Sequence, residues 1–327
     1  RVVLRQGETA LLDASRVELQ RAWAETSYRV ARLRDAPDCV DEEFERIAER
    51  DALRADFDFE IGPGAPAVHT ARPRVAILRE QGVNGHVEMA WAFDAAGFEA
   101  VDVHMSDLLE GRRTLEDVRG VVACGGFSYG DVLGAGQGWA RSILFNARAR
   151  DMVASFLADP DRFALGVCNG CQMMAALAEL IPGTEGWPAL KRNRSEQFEA
   201  RWSQVEIPRS RSLLFDDMAG AVLPVAVAHG EGRMVFSDAA ALPRLTANAQ
   251  VAMRFVDADG SPASRYPANP NGTVDGVTGL CNDDGRVTIL MPHPERTVAG
   301  TAGSWWPDRN MARTPWMQIF HNARRWV

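Results

Sequence analysis

The sequence predicts an α/β fold: a mostly parallel open sheet with helices on both faces, an added antiparallel or mixed strand set, and a helical arm in front. Three observations carry that expectation. From residue 74 onward, short apolar runs alternate with segments of helical period. Two of these runs end in glycine-rich turns, at Gly125-Gly126 and around Gly166-Val-Cys168-Asn-Gly170, the place where open parallel sheets bind ligands. The last third carries short strands separated by Asp-Gly turns, at Asp257–Gly260 and Asn282–Gly285, the signal for hairpins.

Taken in order, Asp13–Arg34 has apolar residues at helical intervals, with Asp13 as the expected N-cap of one long amphipathic helix. A proline at Pro37 ends it and opens a shorter acidic helix reaching to about Asp56. Residues 1–60 are thus expected to form an arm with little core of its own, its stripe of Val17, Leu19, Trp23, Val30 and Leu33 left for another domain. The Gly- and Pro-punctuated stretch 61–73 reads as a linker, and 74–327 as the α/β domain. Within it, Arg74–Leu78, Phe98–Val103 and Val121–Cys124 read as strands, with a helix over His86–Ala96 between the first two. Further strands are expected at Phe198–Ile207, Val222–Ala228, Val251–Val256, Val277–Cys281 and Val287–Met291, and a last amphipathic helix over Pro315–Val327.

Phe163–Leu180 is the centre of the sequence: an apolar run, a cysteine between glycines, then a helical run. This is the thiol form of a nucleophile elbow, in which small flanking residues let a strained turn lift the central side chain clear of the sheet. A helix N-terminus following Cys168 favours a thiolate and offers amides to an oxyanion. Cys171, three residues into the helix, is expected to pack, and Cys168-Asn-Gly-Cys171 lacks the second cysteine pair that a zinc site needs. No metal site is expected.

Such a thiol needs a base and a group to orient the base. His293, between Pro292 and Pro294 and two residues before Glu295, is one candidate; His229, two residues before Glu231, is the other. Spacing does not separate them. His69 falls in the linker, His321 in the last helix, and His86 and His104 near the first strands, where structural roles are expected.

The 327 residues are 46% apolar and 24% charged, an ordinary globular composition. A net charge of −8 argues against nucleic-acid binding, which needs a basic surface. No apolar run approaches the ~18 residues of a membrane span. Five cysteines in so long a chain do not form a disulfide framework, and a cytoplasmic setting is expected. The chain opens at Arg1 without a methionine and is expected to belong to something longer.

Gly166-Val-Cys-Asn-Gly-Cys-Gln172 resembles the Gly-x-Cys-x-Gly-x-Gln signature of class I, triad-type glutamine amidotransferases, and Met291-Pro-His-Pro-Glu295 their His-Pro-Glu partner. Gly125–Gly136, Arg192–Arg201, Ala228–Gly232 and Tyr266–Gly272 resemble the glutaminase domain of large phosphoribosylformylglycinamidine synthases, and Trp23-Ala-Glu-Thr and Arg32-Leu-Arg-Asp the segment leading into it. The resemblance implies Cys168 as nucleophile, His293 as proton shuttle and Glu295 as its orienting carboxylate. It also implies oxyanion amides at Gly126, Phe127 and Asn169, and a glutamine pocket built from Gln172, Asn193, Ser195 and Glu196. L-Glutamine would be the substrate and synthase domains the partner; ATP and Mg would bind in those domains and no cofactor in this chain. Another cysteine hydrolase or peptidase on the same fold, or a docking module of a larger enzyme, are the competing expectations.

Overall fold

The computed structural model describes residues 1–49, 52–62, 71–303, 305–308 and 310–327. The chain opens on a hairpin that the sequence patterns do not signal, β1 (Val2–Gln6) against β2 (Thr9–Ala14). Helix α1 (Arg16–Arg34) follows, and its cap is Ser15, not Asp13. Ser15 accepts from Glu18 N–H while the Glu18 carboxylate accepts from Ser15 N–H, a reciprocal box. Asp13 is still inside the strand and pairs with Arg1. Helix α2 (Pro37–Arg46) stops ten residues short of the expected Asp56. Residues 47–49 form a turn, and Asp56 bridges to Val222 instead.

The two halves of the arm differ. No residue of α1 is buried, and Trp23 and Leu33 are 89% and 92% exposed. α2 and the turn after it instead dock on the body through charge, with Arg46 to Asp257 at 2.8 Å, Glu45 and Glu49 to Arg265, and Glu42 to Arg194. Phe57, Phe59 and Ile61 pack against the main core, so the segment expected to end the arm already lies on the body. The expected linker 61–73 falls mostly outside the described residues.

The body follows the α/β pattern. β3 (Arg74–Arg79), α3 (His86–Ala95), β4 (Glu99–His104), α4 (Met105–Leu109) and β5 (Gly120–Ala123) come first. α5 (Gln137–Leu144) and α6 (Ala147–Ala158), which have no counterpart among the expected elements, lead to β6 (Phe163–Val167) and α7 (Asn169–Ala176). Then come β7 (Ala189–Lys191), β8 (Glu199–Glu206), β9 (Val222–His229), β10 (Arg233–Val235), α8 (Ala241–Ala247), β11 (Val251–Phe255), β12 (Val277–Cys281), β13 (Val287–Leu290) and α9 (Met317–Trp326).

Nine strands form one sheet in the order β4-β3-β5-β6-β13-β12-β11-β8-β9. The first five run parallel; from β13 to β9 every pairing is antiparallel. β5, β6 and β13 are buried at every position, as sheets covered on both faces require. The Asn282–Gly285 turn joins β12 to β13 as expected, whereas Asp257–Gly260 is followed only by a Val256–Pro262 bridge. β7 and β10 form a small separate pair.

β9 is an outer strand, yet its outward carbonyls are occupied one after another. Val222 O accepts from Asp56 N–H at 2.9 Å, Pro224 O from the Trp316 indole at 2.8 Å, and Ala226 O from His293 N–H at 2.8 Å. Among the described residues, no helix is long and apolar enough to cross a membrane.

Candidate active site

Three neighbouring parallel strands, β5, β6 and β13, end at the same edge of the sheet and deliver three segments to one place. Gly125-Gly126 follows β5, Cys168 follows β6, and His293 comes three residues after β13. Cys168 takes φ 52° and ψ −107°, a conformation that a side chain rarely adopts, and stands at the N-terminus of α7. Close packing on either side explains the two glycines: a Cβ on Gly170 would lie 2.0 Å from the Ala123 carbonyl oxygen, and one on Gly166 2.7 Å from that of Gly170. Gly125 is equally confined, since a Cβ there would meet the His293 ring at 2.5 Å and Cys168 Cβ at 3.2 Å.

His293 is fully buried, and its Nδ1 lies 2.6 Å from Glu295 Oε1, itself inaccessible to solvent. Burial alone would depress the imidazole pKa; the Glu295 carboxylate and the sulfur of Cys168 outweigh it and raise the value to about 10. Its Nε2 makes no hydrogen bond of ordinary length and angle among the described residues. Cys168 Sγ rests 3.6 Å from Ala228 O, the next carbonyl along β9.

His229 is the other buried histidine of the site, and the structure separates it from His293. Glu231 does not orient it: that carboxylate accepts from Ala135 N–H at 3.1 Å. Burial, reinforced by His293, pushes the His229 pKa down to about 3, so its ring is neutral, and neither ring nitrogen has a partner among the described residues. Cys171 is fully buried with its thiol pushed well above the ordinary range, a packed and unreactive sulfur. His104 caps α4, accepting from Ser106 N–H, and His321 is buried in α9. His69 lies outside the described residues.

A cavity of about 330 Å³ opens over the thiol. Of the expected site residues, Cys168, His293, Gly126, Phe127, Asn169 and Gln172 line it. Glu295 stands behind His293. Asn193, Ser195 and Glu196 are not among the lining residues: Asn193 holds the wall from behind, Ser195 donates to buried Glu199, and Glu196 is exposed. Their place in the sequence motif did not say which way the loop faces.

Asn84, Asp131, Phe198 and Arg296 also line the cavity and were not singled out, and Glu231, weighed only as a partner for His229, lines it too. Asp131 ends the glycine-rich stretch and Arg296 directly follows Glu295, so the signal was adjacency to motifs already noted. Asp131 accepts from Ser128 N–H and Oγ–H, Gly136 N–H and Asn169 Nδ2–H at 2.8–2.9 Å, which ties the glycine-rich loop to the residue after Cys168. Gln172 donates to Glu231 O at 2.8 Å. The rings of Phe127 and Phe198, both in the cavity lining, lie 6.0 Å apart and tilted by 33°.

Comparison with known proteins agrees with this architecture. PurLQS from Thermotoga maritima superposes with a TM-score of 0.56 at 24% identity, over 78% of this chain and 99% of that one, and shares the fold. A putative GMP synthase protein from Thermoplasma acidophilum gives 0.46 at 13% identity (79% and 95% covered), and a glutamine amidotransferase from Thermotoga maritima 0.42 at 19% (71% and 79%). Residues 72–327 match the family model of the CobB/CobQ-like glutamine amidotransferase domain, and with a match over most of its length the chain belongs to that family.

Proposed function

We propose that this chain is the glutaminase part of a phosphoribosylformylglycinamidine synthase, with Cys168, His293 and Glu295 as its catalytic triad. The observation that carries the reading is the meeting of the elbow thiol with a buried, carboxylate-paired imidazole at the ends of adjacent strands.

Cys168 Sγ, its proton already held by His293, attacks the side-chain carbonyl carbon of L-glutamine. The amides of Asn169, Gly126 and Phe127 hold the oxyanion. The C–N bond breaks, His293 returns the proton to the leaving nitrogen, and ammonia departs from a glutamyl thioester. Once the sulfur is acylated, one of the influences that raise the His293 pKa is gone, so the imidazolium becomes a better acid when it must give up its proton. Water, deprotonated by His293, then releases glutamate and restores the thiol.

The cavity's charges suit a zwitterionic amino acid. Among the described residues, Arg296 is the only arginine or lysine lining it and would meet the α-carboxylate. Asp131 is saturated by four donors, whereas Glu231 accepts one and has capacity for the α-ammonium. Gln172 and Asn84 complete the head-group site, with Asn193 supporting the wall. The order of sequence motifs and the fold shared with PurLQS support a synthase module as the partner. There, in the cytoplasm, ATP and Mg would bind and the ammonia would convert formylglycinamide ribonucleotide to the amidine, a step of purine synthesis.

The test is chemical. A glutamine-mimicking diazoketone should label Cys168 and leave Cys171 untouched, and Cys168→Ser should lose glutamine hydrolysis, because an alcohol is a far weaker nucleophile than a thiolate. Labelling at Cys171 alone would overturn the assignment.

A further inference from the structure

We infer that Glu42 of the arm and Arg194 of the body are positioning residues for glutamine capture, holding one wall of the cavity in place from behind. The inference rests on the glutaminase reading and adds a role for α2 that the reading does not contain.

Arg194 is gripped from α2 by two side chains. Its guanidinium pairs with the Glu42 carboxylate, and its Nε donates to Cys39 Sγ at 3.2 Å. Glu42 Oε2 also accepts from Tyr266 N–H at 2.7 Å, so one carboxylate fixes two body segments. The backbone of Arg194 donates to Asn271 O at 3.1 Å, and its Cβ packs so closely on Gly272 that a Cβ there would lie 2.5 Å away.

The next residue carries that grip to the cavity. Asn193 is buried; its N–H donates to Gly230 O at 2.9 Å and its Nδ2 to His229 O at 2.7 Å, while its Oδ1 accepts from Gly232 N–H at 2.9 Å. Asn271 Nδ2 donates to Gly232 O at 2.9 Å. The segment 229–232 therefore hangs from Asn193 and Asn271, and it supplies His229, Gly230 and Glu231 to the cavity lining. A second anchor stands at the far end of the same loop. Arg201, held by buried Glu199 and by Tyr266, reaches Glu43 of α2 at 3.5 Å and steadies the stretch that presents Phe198.

As a stability term the Glu42–Arg194 pair is minor, because its side chains are 24% and 35% exposed and partly screened by water. Its effect is expected in binding. In the full 327-residue chain, Glu42→Ala and Arg194→Ala should each raise KM for L-glutamine about tenfold, the scale of one charge-assisted hydrogen bond, and leave kcat nearly unchanged. The double variant should be no worse than either single, the mark of a shared interaction. Glu42→Gln, which keeps an acceptor oxygen, and Arg194→Lys should recover much of the loss. Alkylation of Cys168 by iodoacetamide, which has no amino-acid head group, should proceed at the wild-type rate throughout.

Unchanged KM in the alanine variants, or KM and alkylation deteriorating together, would overturn the positioning role. Should Arg194→Ala fail to fold, Glu42→Ala and Arg194→Lys make the same comparison. A wild-type chain that neither hydrolyses glutamine nor reacts with the diazoketone overturns the glutaminase reading itself, an outcome distinct from failure of the positioning role.

Discussion

At the level of single residues, two buried histidines of one site are held in opposite charge states. His293 keeps its proton up to a pKa of about 10, and His229 refuses one down to about 3. Linkage turns both into stability. With its pKa raised in the fold, His293 stabilises the chain below its ordinary 6.5 and loses that contribution as pH rises toward 10. His229, with its pKa lowered, contributes above 6.5 and loses stability as pH falls toward 3. Stability should therefore peak near pH 6.5, and urea unfolding of His229→Gln should show a shallower acid decline, by up to about 1.4 kcal/mol per pH unit. An unchanged acid slope would show that His229 is not the group responsible. For activity the order reverses. His293→Ala should cost the ~10²–10⁴-fold of general acid–base catalysis and His229→Ala less, with steady-state glutamine hydrolysis as the measure. The sequence named both histidines but could not rank them, because a carboxylate stands two residues after each. What ranks them is where Glu231 and Glu295 point: Glu295 turns to His293, while Glu231 is drawn off by Ala135 N–H, 96 positions away in the chain.

At the level of elements, the strand, elbow and helix around Cys168 were legible because local rules and tertiary packing agree there. The strained φ, the flanking glycines and the buried strand all serve one turn. Gly170→Ala tests this: its Cβ would be driven into the Ala123 carbonyl, so a loss of roughly 1–3 kcal/mol with displacement of Cys168 is expected. Thermal unfolding alongside the iodoacetamide rate would show both, and an alanine tolerated without either change would mean that the elbow is looser than drawn. Elsewhere local rules fell short. The capping role passed from Asp13 to Ser15 because Asp13 is spent in a strand and an ion pair. α5 begins directly after a glycine-rich loop whose anchor, Asp131, acts through contacts that no periodicity displays.

At the level of the whole molecule, the arm is bound through charge at α2 and open at α1. Trp23 and Leu33 have no buried surface to lose, so Trp23→Ser with Leu33→Ser should shift unfolding free energy by less than about 0.5 kcal/mol. A larger drop in a denaturant titration would mean that the stripe packs within the chain. The outer strand β9 carries a different lesson. A long apolar strand at the edge of a sheet invites another chain to pair with it, and this is how folded proteins seed aggregates. Here a proline withholds one amide in mid-strand, and an arm residue, an indole and the backbone of His293 occupy alternate carbonyls. The blockade ends at Ala228, whose carbonyl faces the thiol. The edge that would otherwise recruit a foreign strand is thus taken up, carbonyl by carbonyl, as far as the mouth of the cavity.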